Sequence, residues 1–81
     1  YTATTSDYVI DCTSGTFTVN LFTAVGNTGR ILIIKNSGAG TITVDPNGTQ
    51  TIDGSTTYIL EIQYETLQII SDGTNWKIIS N

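Results

Sequence analysis

The chain has 81 residues and a net charge of −4, which indicates one small domain. Its three basic residues, against seven acidic ones, cannot form the positive surface that nucleic acids or anionic membranes require. No apolar run approaches the roughly 18 residues of a membrane span, so we expect neither nucleic-acid binding nor membrane insertion.

A domain of this size has a small core and usually needs a further source of stability. Cys12 is the only cysteine, so no disulfide can form within the chain. The sequence contains no histidine, and one cysteine cannot supply the roughly four nitrogen or sulfur ligands of a zinc site. We therefore predict that the domain uses no cofactor and gains stability as a homo-oligomer.

The residue types favour strands over helices along the whole chain. There are 4 Val, 12 Ile and 16 Thr, whose branched side chains suit a pleated sheet. We predict an all-β fold of about eight short antiparallel strands, arranged as a β-sandwich or in a jelly-roll-like way. A helix over residues 56–70 is the one competing interpretation, and the β-branched content of that stretch argues against it.

The chain begins with a polar, Thr-rich segment, Tyr1–Asp7, that has little to bury. We interpret it as an incoming arm or linker and assign residues 8–81 to a single β domain. No charged-then-apolar signal segment follows Tyr1, so we expect the sequence to be part of a longer chain.

The predicted strands then follow one another at short intervals. Clean alternation, as in Thr16–Leu21, places successive residues on opposite faces of a sheet. The strongest turn signals are Asp45–Gly48 and Asp72-Gly73, because Pro presets one turn angle and Gly accepts a positive φ. Each of these turns is predicted to join two antiparallel strands. The eight strands are expected at residues 8–12, 16–21, 30–36, 41–44, 49–52, 56–63, 66–70 and 76–79.

The stretch Ile31, Leu32, Ile33 and Ile34 is apolar without alternation, so both faces of this strand are expected to be buried. In a domain without helices, one face packs in the core and the other needs a second subunit or a further sheet. We favour the subunit and name these four residues as oligomer-interface candidates. Whether Leu32 and Ile34 or Ile31 and Ile33 meet the partner depends on the register.

Residues suited to catalysis are scarce. Without histidine, Cys12 and the many hydroxyl groups have no standard base to activate them. Asp45, Asp53 and Asp72 lie in turns beside Gly or Pro, where a carboxylate hydrogen-bonds nearby amides, and their spacing does not match a calcium loop. We therefore predict that the protein is not an enzyme and holds no metal.

Tyr58, Tyr64 and Trp76 are the candidates for ligand contacts. Aromatic faces with polar neighbours can bind carbohydrate, but the same residues also close small β cores. The core interpretation is favoured for Trp76, which follows the Asp72-Gly73 turn and can cover the end of the core. For the two tyrosines both interpretations stay open.

Several short motifs occur in a fixed order from Leu21 onward. They are Gly26-Asn27-Thr28-Gly29-Arg30, Ile34-Lys35-Asn36, Gly40–Val44, Asp45-Pro46-Asn47-Gly48, Thr51-Ile52-Asp53-Gly54 and Ser71–Ile79. With this order of motifs the chain resembles, from about Tyr8 to Ile79, a small β domain that recurs in bacteriophage and other viral tail-fibre, tail-spike and receptor-binding proteins. Phe22 departs from the resemblance, since such domains often carry Pro after the Leu.

The resemblance implies a non-enzymatic structural module of a virion fibre or spike, usually a homotrimer, whose role is assembly. The alternative that it implies is a module near a fibre tip that binds a cell-surface glycan or receptor during host attachment. No receptor contacts are carried over from the family to particular residues of this chain.

Overall fold

The computed structural model describes residues 1–81 and contains seven β-strands and no helix, which confirms the all-β prediction. The strands are β1 (Val9–Cys12), β2 (Phe17–Asn20), β3 (Ile31–Asn36), β4 (Ile42–Asp45), β5 (Tyr58–Leu60), β6 (Glu65–Ser71) and β7 (Trp76–Ser80). A helix of the length and apolarity needed to cross a bilayer is accordingly not found.

The strands form two sheets, and the chain passes back and forth between them. A four-stranded sheet has the order β1-β3-β6-β7, and a three-stranded sheet has the order β2-β4-β5. Both sheets are mixed, because β1 runs parallel to β3 and β2 runs parallel to β4, while the other pairs are antiparallel. The prediction of purely antiparallel strands is wrong, since β1 and β2 enter different sheets instead of forming a hairpin.

One of the eight predicted strands, at residues 49–52, is not a strand. Ile52 alone makes isolated bridges, one of them to Trp76. The carbonyl oxygen of Thr51 accepts the amide of Trp76 at 2.9 Å. After the turn at Asp45–Gly48 the chain therefore runs beside the start of β7, and the antiparallel partner of β4 is β5.

One hydrophobic core lies between the two sheets. Its fully buried strand residues come from both sheets, and they are Val19, Leu32, Ile34, Ile42, Val44, Leu60, Leu67, Ile69 and Trp76. Because successive residues of a strand point to opposite sides, the neighbours of these residues face outward. These outward residues determine whether the outer surface of each sheet is polar or apolar.

Residues 1–7, predicted as an arm or linker, pack against the domain. Ala3 is buried in the core, and its amide donates to the carbonyl oxygen of Asn20 at 2.8 Å. The guanidinium of Arg30 donates to the carbonyl oxygens of Thr5, at 2.9 Å, and of Asp7. Ala3 is the only buried residue of this segment, which therefore has little to bury, as expected, but its backbone is bonded to the domain beside β2.

The turn between β6 and β7 forms as predicted. Gly73 has a φ of +94°, in the region that glycine accepts without strain. The carboxylate of Asp72 accepts the amides of Thr74, at 2.9 Å, and Asn75, at 2.8 Å. The turn is thus held by its own side chain as well as by its backbone.

Trp76 occupies the core end of this hairpin. It lies opposite Ser71 and is fully buried. Its ring packs edge-on against Phe22, with 5.5 Å between the ring centroids and 74° between the planes. The core position predicted for Trp76 is confirmed.

Candidate functional surface

The outward side of the four-stranded sheet is apolar at its centre. Val9, Ile31, Ile33 and Ile70 alternate with buried residues along their strands and therefore point away from the core. Val9 is 55% exposed, and the three isoleucines are half-buried. We call these four residues the apolar face.

Strand pairing brings the residues of the apolar face side by side. Val9 lies opposite Ile33, and Ile31 lies opposite Ile70. Opposed residues on one face of a sheet have Cβ atoms about 4.5–5.5 Å apart, which is close enough for their side chains to touch. The four residues therefore lie side by side, with Gln68 of β6 opposite Ile33 as a polar member of the same side. Contiguous apolar residues on a surface are a mark of an interaction site.

The outward side of the three-stranded sheet is polar. Thr18, Thr43 and Ile59 lie in one row across it, and Asn20 and Asp45 lie opposite each other in the next. Only Ile59 among these five is apolar. The two sheets therefore differ in the polarity of their outward side chains, and the apolar face is the surface whose contact with water is unfavourable.

Two of the four predicted interface residues face the core. Leu32 and Ile34 are fully buried inside the domain, so their assignment to an interface is wrong. The physical reason is that the chain's own three-stranded sheet packs over them. Ile31 and Ile33 alternate with them on β3 and lie on the apolar face, so they are the pair that points away from the core.

Charged and polar residues border the apolar face. Lys77 lies at one end, on β7. Lys35 lies at the other end, between Asp11 of β1 and Thr66 of β6. The ammonium of Lys35 donates to the hydroxyl of Thr66, at 3.3 Å, and to the carbonyl oxygen of Tyr64, at 3.1 Å. An apolar centre with a polar rim is the usual anatomy of a protein–protein interface.

The three aromatic candidates lie in different settings. Trp76 is 0% exposed, so a ligand has no access to its ring. Tyr58 is half-buried, and its hydroxyl donates to the side-chain oxygen of Asn81 at 2.6 Å. Tyr64 is 64% exposed, and its ring centroid lies 5.8 Å from the ammonium of Lys35. Tyr64 is therefore the candidate with an open aromatic surface.

A cavity of about 240 Å³ lies along β1, next to the apolar face. Val9, Asp11 and Cys12 of β1 line it, together with Asp7 and Phe17. Cys12 is only 2% exposed, and burial raises the pKa of its thiol. A buried, protonated thiol packs as a small apolar group and is a poor nucleophile.

The acidic residues of two turns accept hydrogen bonds from backbone amides. Asp53 accepts the amide of Ile78 at 3.2 Å. The amides of Asn75 and Thr74, in that order of importance, hold the pKa of Asp72 below its usual range. No three His, Cys, Asp or Glu side chains converge closely enough to hold a metal ion.

Val9 and Ile70, members of the apolar face, were not predicted from the sequence. A signal for them exists, because each strand of the four-stranded sheet carries adjacent apolar residues. These are Val9-Ile10, Ile31–Ile34, Ile69-Ile70 and Ile78-Ile79. In β2 and β4 apolar residues alternate with polar ones, whereas β5 also carries adjacent apolar residues. Doubled apolar residues therefore indicate a strand with apolar residues on both sides, without identifying the sheet to which it belongs.

Comparisons of the chain with protein-family models, with curated proteins and with solved structures found no match. A proposal of function therefore starts from the chemistry of the surface.

Proposed function

We propose that the chain is a non-enzymatic structural domain of a viral fibre or spike, a β-sandwich that assembles as a homotrimer. The apolar face is the surface that the copies bury against one another. Its place would then be in the virion, outside the host cell. The observation that carries the proposal is the contrast between the two sheets, one with Val9, Ile31, Ile33 and Ile70 outward and the other with mostly threonine and acid or amide side chains.

The energetics favour covering this face. Burying a fully exposed Val or Ile side chain stabilises by about 1.5–3 kcal/mol, and the half-buried isoleucines retain part of that gain for an interface. Cys12 is alone, so a disulfide within the chain cannot contribute to stability. Association through the apolar face supplies stability that a disulfide would otherwise provide. The number of copies, three, is the expectation that comes from the motif order.

A matched pair of variants tests the proposal. Ile33→Thr keeps a β-branched residue in the centre of the apolar face but makes it polar, while Ile59→Thr makes the same change outside it. Light scattering coupled to size exclusion should give a trimer mass for the parent chain and for Ile59→Thr, and a lower mass for Ile33→Thr. A parent chain that is a stable monomer at micromolar concentration contradicts the proposal.

Attachment to a cell-surface glycan or receptor is the second candidate, and the exposure of Tyr64 favours it. The Tyr64 ring is 64% exposed and has a lysine ammonium beside it, which leaves one ring face free to stack on a sugar. The assembled parent should then bind a glycan array, and Tyr64→Ala should lose that binding. If the assembled parent binds no glycan on the array, glycan attachment is contradicted.

A further inference from the structure

Strand β1 has an unpaired edge. It pairs only with β3, because it ends the four-stranded sheet. The carbonyl oxygens of Tyr8 and Cys12 accept amides from Ile33 and Ser37, so the groups of Tyr8, Ile10 and Cys12 point toward β3. By alternation, the amides and carbonyls of Val9 and Asp11 point the other way, toward no strand of this chain.

Two other sheet edges, those of β2 and of the start of β7, are covered by the chain itself. The first residues lie along β2, where Ala3 donates to Asn20 at 2.8 Å. The segment Thr51–Asp53 lies along β7, where the amide of Asp53 donates to the carbonyl oxygen of Trp76 at 3.0 Å. Natural proteins cover or blunt exposed edges because unpaired strands recruit other strands. The edge of β5, which ends the three-stranded sheet, also has no partner strand, so the β1 edge is distinguished by the cavity beside it.

The open edge runs into the cavity described above. Val9 and Asp11 carry the free backbone groups and also line the cavity, together with Tyr1 and Phe17. At about 240 Å³ it is smaller than the roughly 300–1,000 Å³ of pockets that hold drug-sized ligands. A free edge beside a pocket for an alternate side chain is the arrangement that accepts an added β-strand.

We propose that the β1 edge accepts an extended segment from a second copy of this chain, whose backbone pairs with Val9 and Asp11 and whose apolar side chain fills the cavity. This inference rests on the proposed assembly. Val9 belongs both to the apolar face and to the open edge, so a copy that covers the face also reaches the edge. In a three-fold assembly the incoming segment is an element other than β1, because β1-to-β1 pairing is a two-fold contact.

Charge supports a second copy as the occupant. The carboxylates of Asp7 and Asp11 line the cavity, and the chain as a whole has a net charge of −4. Lys35 and Lys77, two of its three basic residues, lie on the outward side of the four-stranded sheet. A neighbouring copy therefore brings positive charge on the same surface that it buries, which complements the acidic cavity.

Amide hydrogen exchange, measured residue by residue on the assembled chain, tests the inference without any substitution. Ile10 and Cys12 are internal controls, since their amides point to β3 and are protected in any folded state. The amides of Val9 and Asp11 have no acceptor within the chain. We expect their exchange in the assembly to be slower than in the dissociated chain by at least about 100-fold.

A proline variant provides an independent test. Asp11→Pro removes the outward amide but leaves the β1–β3 bonds, and proline is tolerated where an edge amide faces outward. Asp11→Asn keeps the amide and removes the charge, so it is the matched control. Light scattering should give a lower assembled mass for Asp11→Pro than for Asp11→Asn, because both variants lack the carboxylate and only the proline variant lacks the amide. Circular dichroism checks that both are folded.

The outcomes separate this inference from the proposed function. An assembled chain whose Val9 and Asp11 amides exchange as fast as free amides overturns strand addition and leaves the apolar-face assembly standing. A chain that is monomeric at micromolar concentration overturns both. Slow exchange of the two amides in the assembly supports strand addition, and it does so even if the proline variant fails to fold.

Discussion

Asn36, the last residue of β3, donates its side-chain amide to the carbonyl oxygen of Leu60, the last residue of β5, at 3.0 Å. These two strands belong to different sheets, so the bond crosses the core. The same amide donates to the carbonyl oxygen of Gly40 at 2.8 Å. One fully buried polar side chain therefore ties both sheets to the turn that leaves β3.

Replacement of this side chain should be costly. Asn36→Ala leaves the carbonyl oxygens of Leu60 and Gly40 without their donor, and one buried unsatisfied group costs about 1–3 kcal/mol. Urea unfolding should therefore show a loss of at least about that size. Asn20→Ala, at the exposed end of β2, is the control and should stay within about 0.5 kcal/mol of the parent. Equal effects of the two changes would contradict the role given to Asn36.

Trp76→Ala should destabilise the domain by about 3–5 kcal/mol, because it leaves a large cavity where the ring is fully buried. The indole nitrogen has no hydrogen-bond partner, so Trp76→Phe loses packing but no hydrogen bond and should cost less. Val25→Ala, at an exposed position, should change stability by less than about 0.5 kcal/mol. Thermal unfolding of the three variants gives the comparison, and an undiminished Trp76→Ala protein would contradict the core role.

Gly40 is required for close packing of two loops. A Cβ at this position would lie 2.2 Å from the carbonyl oxygen of Gly15, which is a backbone atom and cannot move aside cheaply. Gly40→Ala should therefore cost at least about 1–3 kcal/mol, the usual range for overpacking. Gly48→Ala is the contrast, since φ is +57° there but no atom lies within 4 Å of the new Cβ. The urea concentration at the unfolding midpoint should be lower for Gly40→Ala than for Gly48→Ala.

Tyr64 has a φ of +69°, which a bulky residue adopts only at a cost. Asparagine tolerates this conformation better, so Tyr64→Asn should raise the unfolding free energy by about 0.5–1 kcal/mol. Tyr64→Val, which is β-branched, should be less stable than either. If Tyr64→Asn is instead destabilising, the contact between the ring and Lys35 outweighs the backbone strain. A stabilising change that abolishes glycan binding would identify Tyr64 as a residue kept for function.

Acid should weaken the closing turn. The pKa of Asp72 is lowered in the folded chain, so its stabilising effect is fully present above the unfolded pKa of about 3.9 and is lost as pH falls through the folded pKa. Asp72→Asn keeps an acceptor oxygen for Thr74 and Asn75 but cannot titrate. Urea midpoints measured from pH 6 down to pH 2 should therefore fall less steeply for Asp72→Asn than for the parent. Parallel curves would contradict this assignment.

Local features of the fold could be predicted from the sequence, and distant pairings could not. The hairpin between β6 and β7 was predictable because Asp72-Gly73 sits between its two strands. The parallel pairing of Val9 with Ile33 leaves no local trace, since neither residue specifies which strand lies beside it. Residues 49–52 look like a strand by composition, but Gln50 and Ile52 form local backbone bonds, to Asn47 and Ser55. Only Thr51 bonds to the start of β7, a partner that no neighbouring residue reveals.

The apolar face was predictable only in part, for a related reason. The unbroken run Ile31–Ile34 indicates that both sides of β3 are covered, but which side meets the core depends on the position of the other sheet. Val9 and Ile70 join the patch because strands far apart in sequence become neighbours. The edge of β1 was beyond sequence analysis altogether, since an unpaired amide is a property of the completed sheet.

The alternation of the chain between two sheets also affects how the domain folds. β1 cannot pair until β3 is available, and β2 cannot pair until β4 is available. In each parallel pair, the strand that lies between the two in sequence belongs to the other sheet. Neither sheet is a continuous piece of sequence that could form first on the ribosome and persist alone. Chains dominated by such distant pairings fold slowly, in roughly milliseconds to seconds. During that interval β1 has no partner strand, and its exposed backbone groups are free to pair incorrectly with other chains.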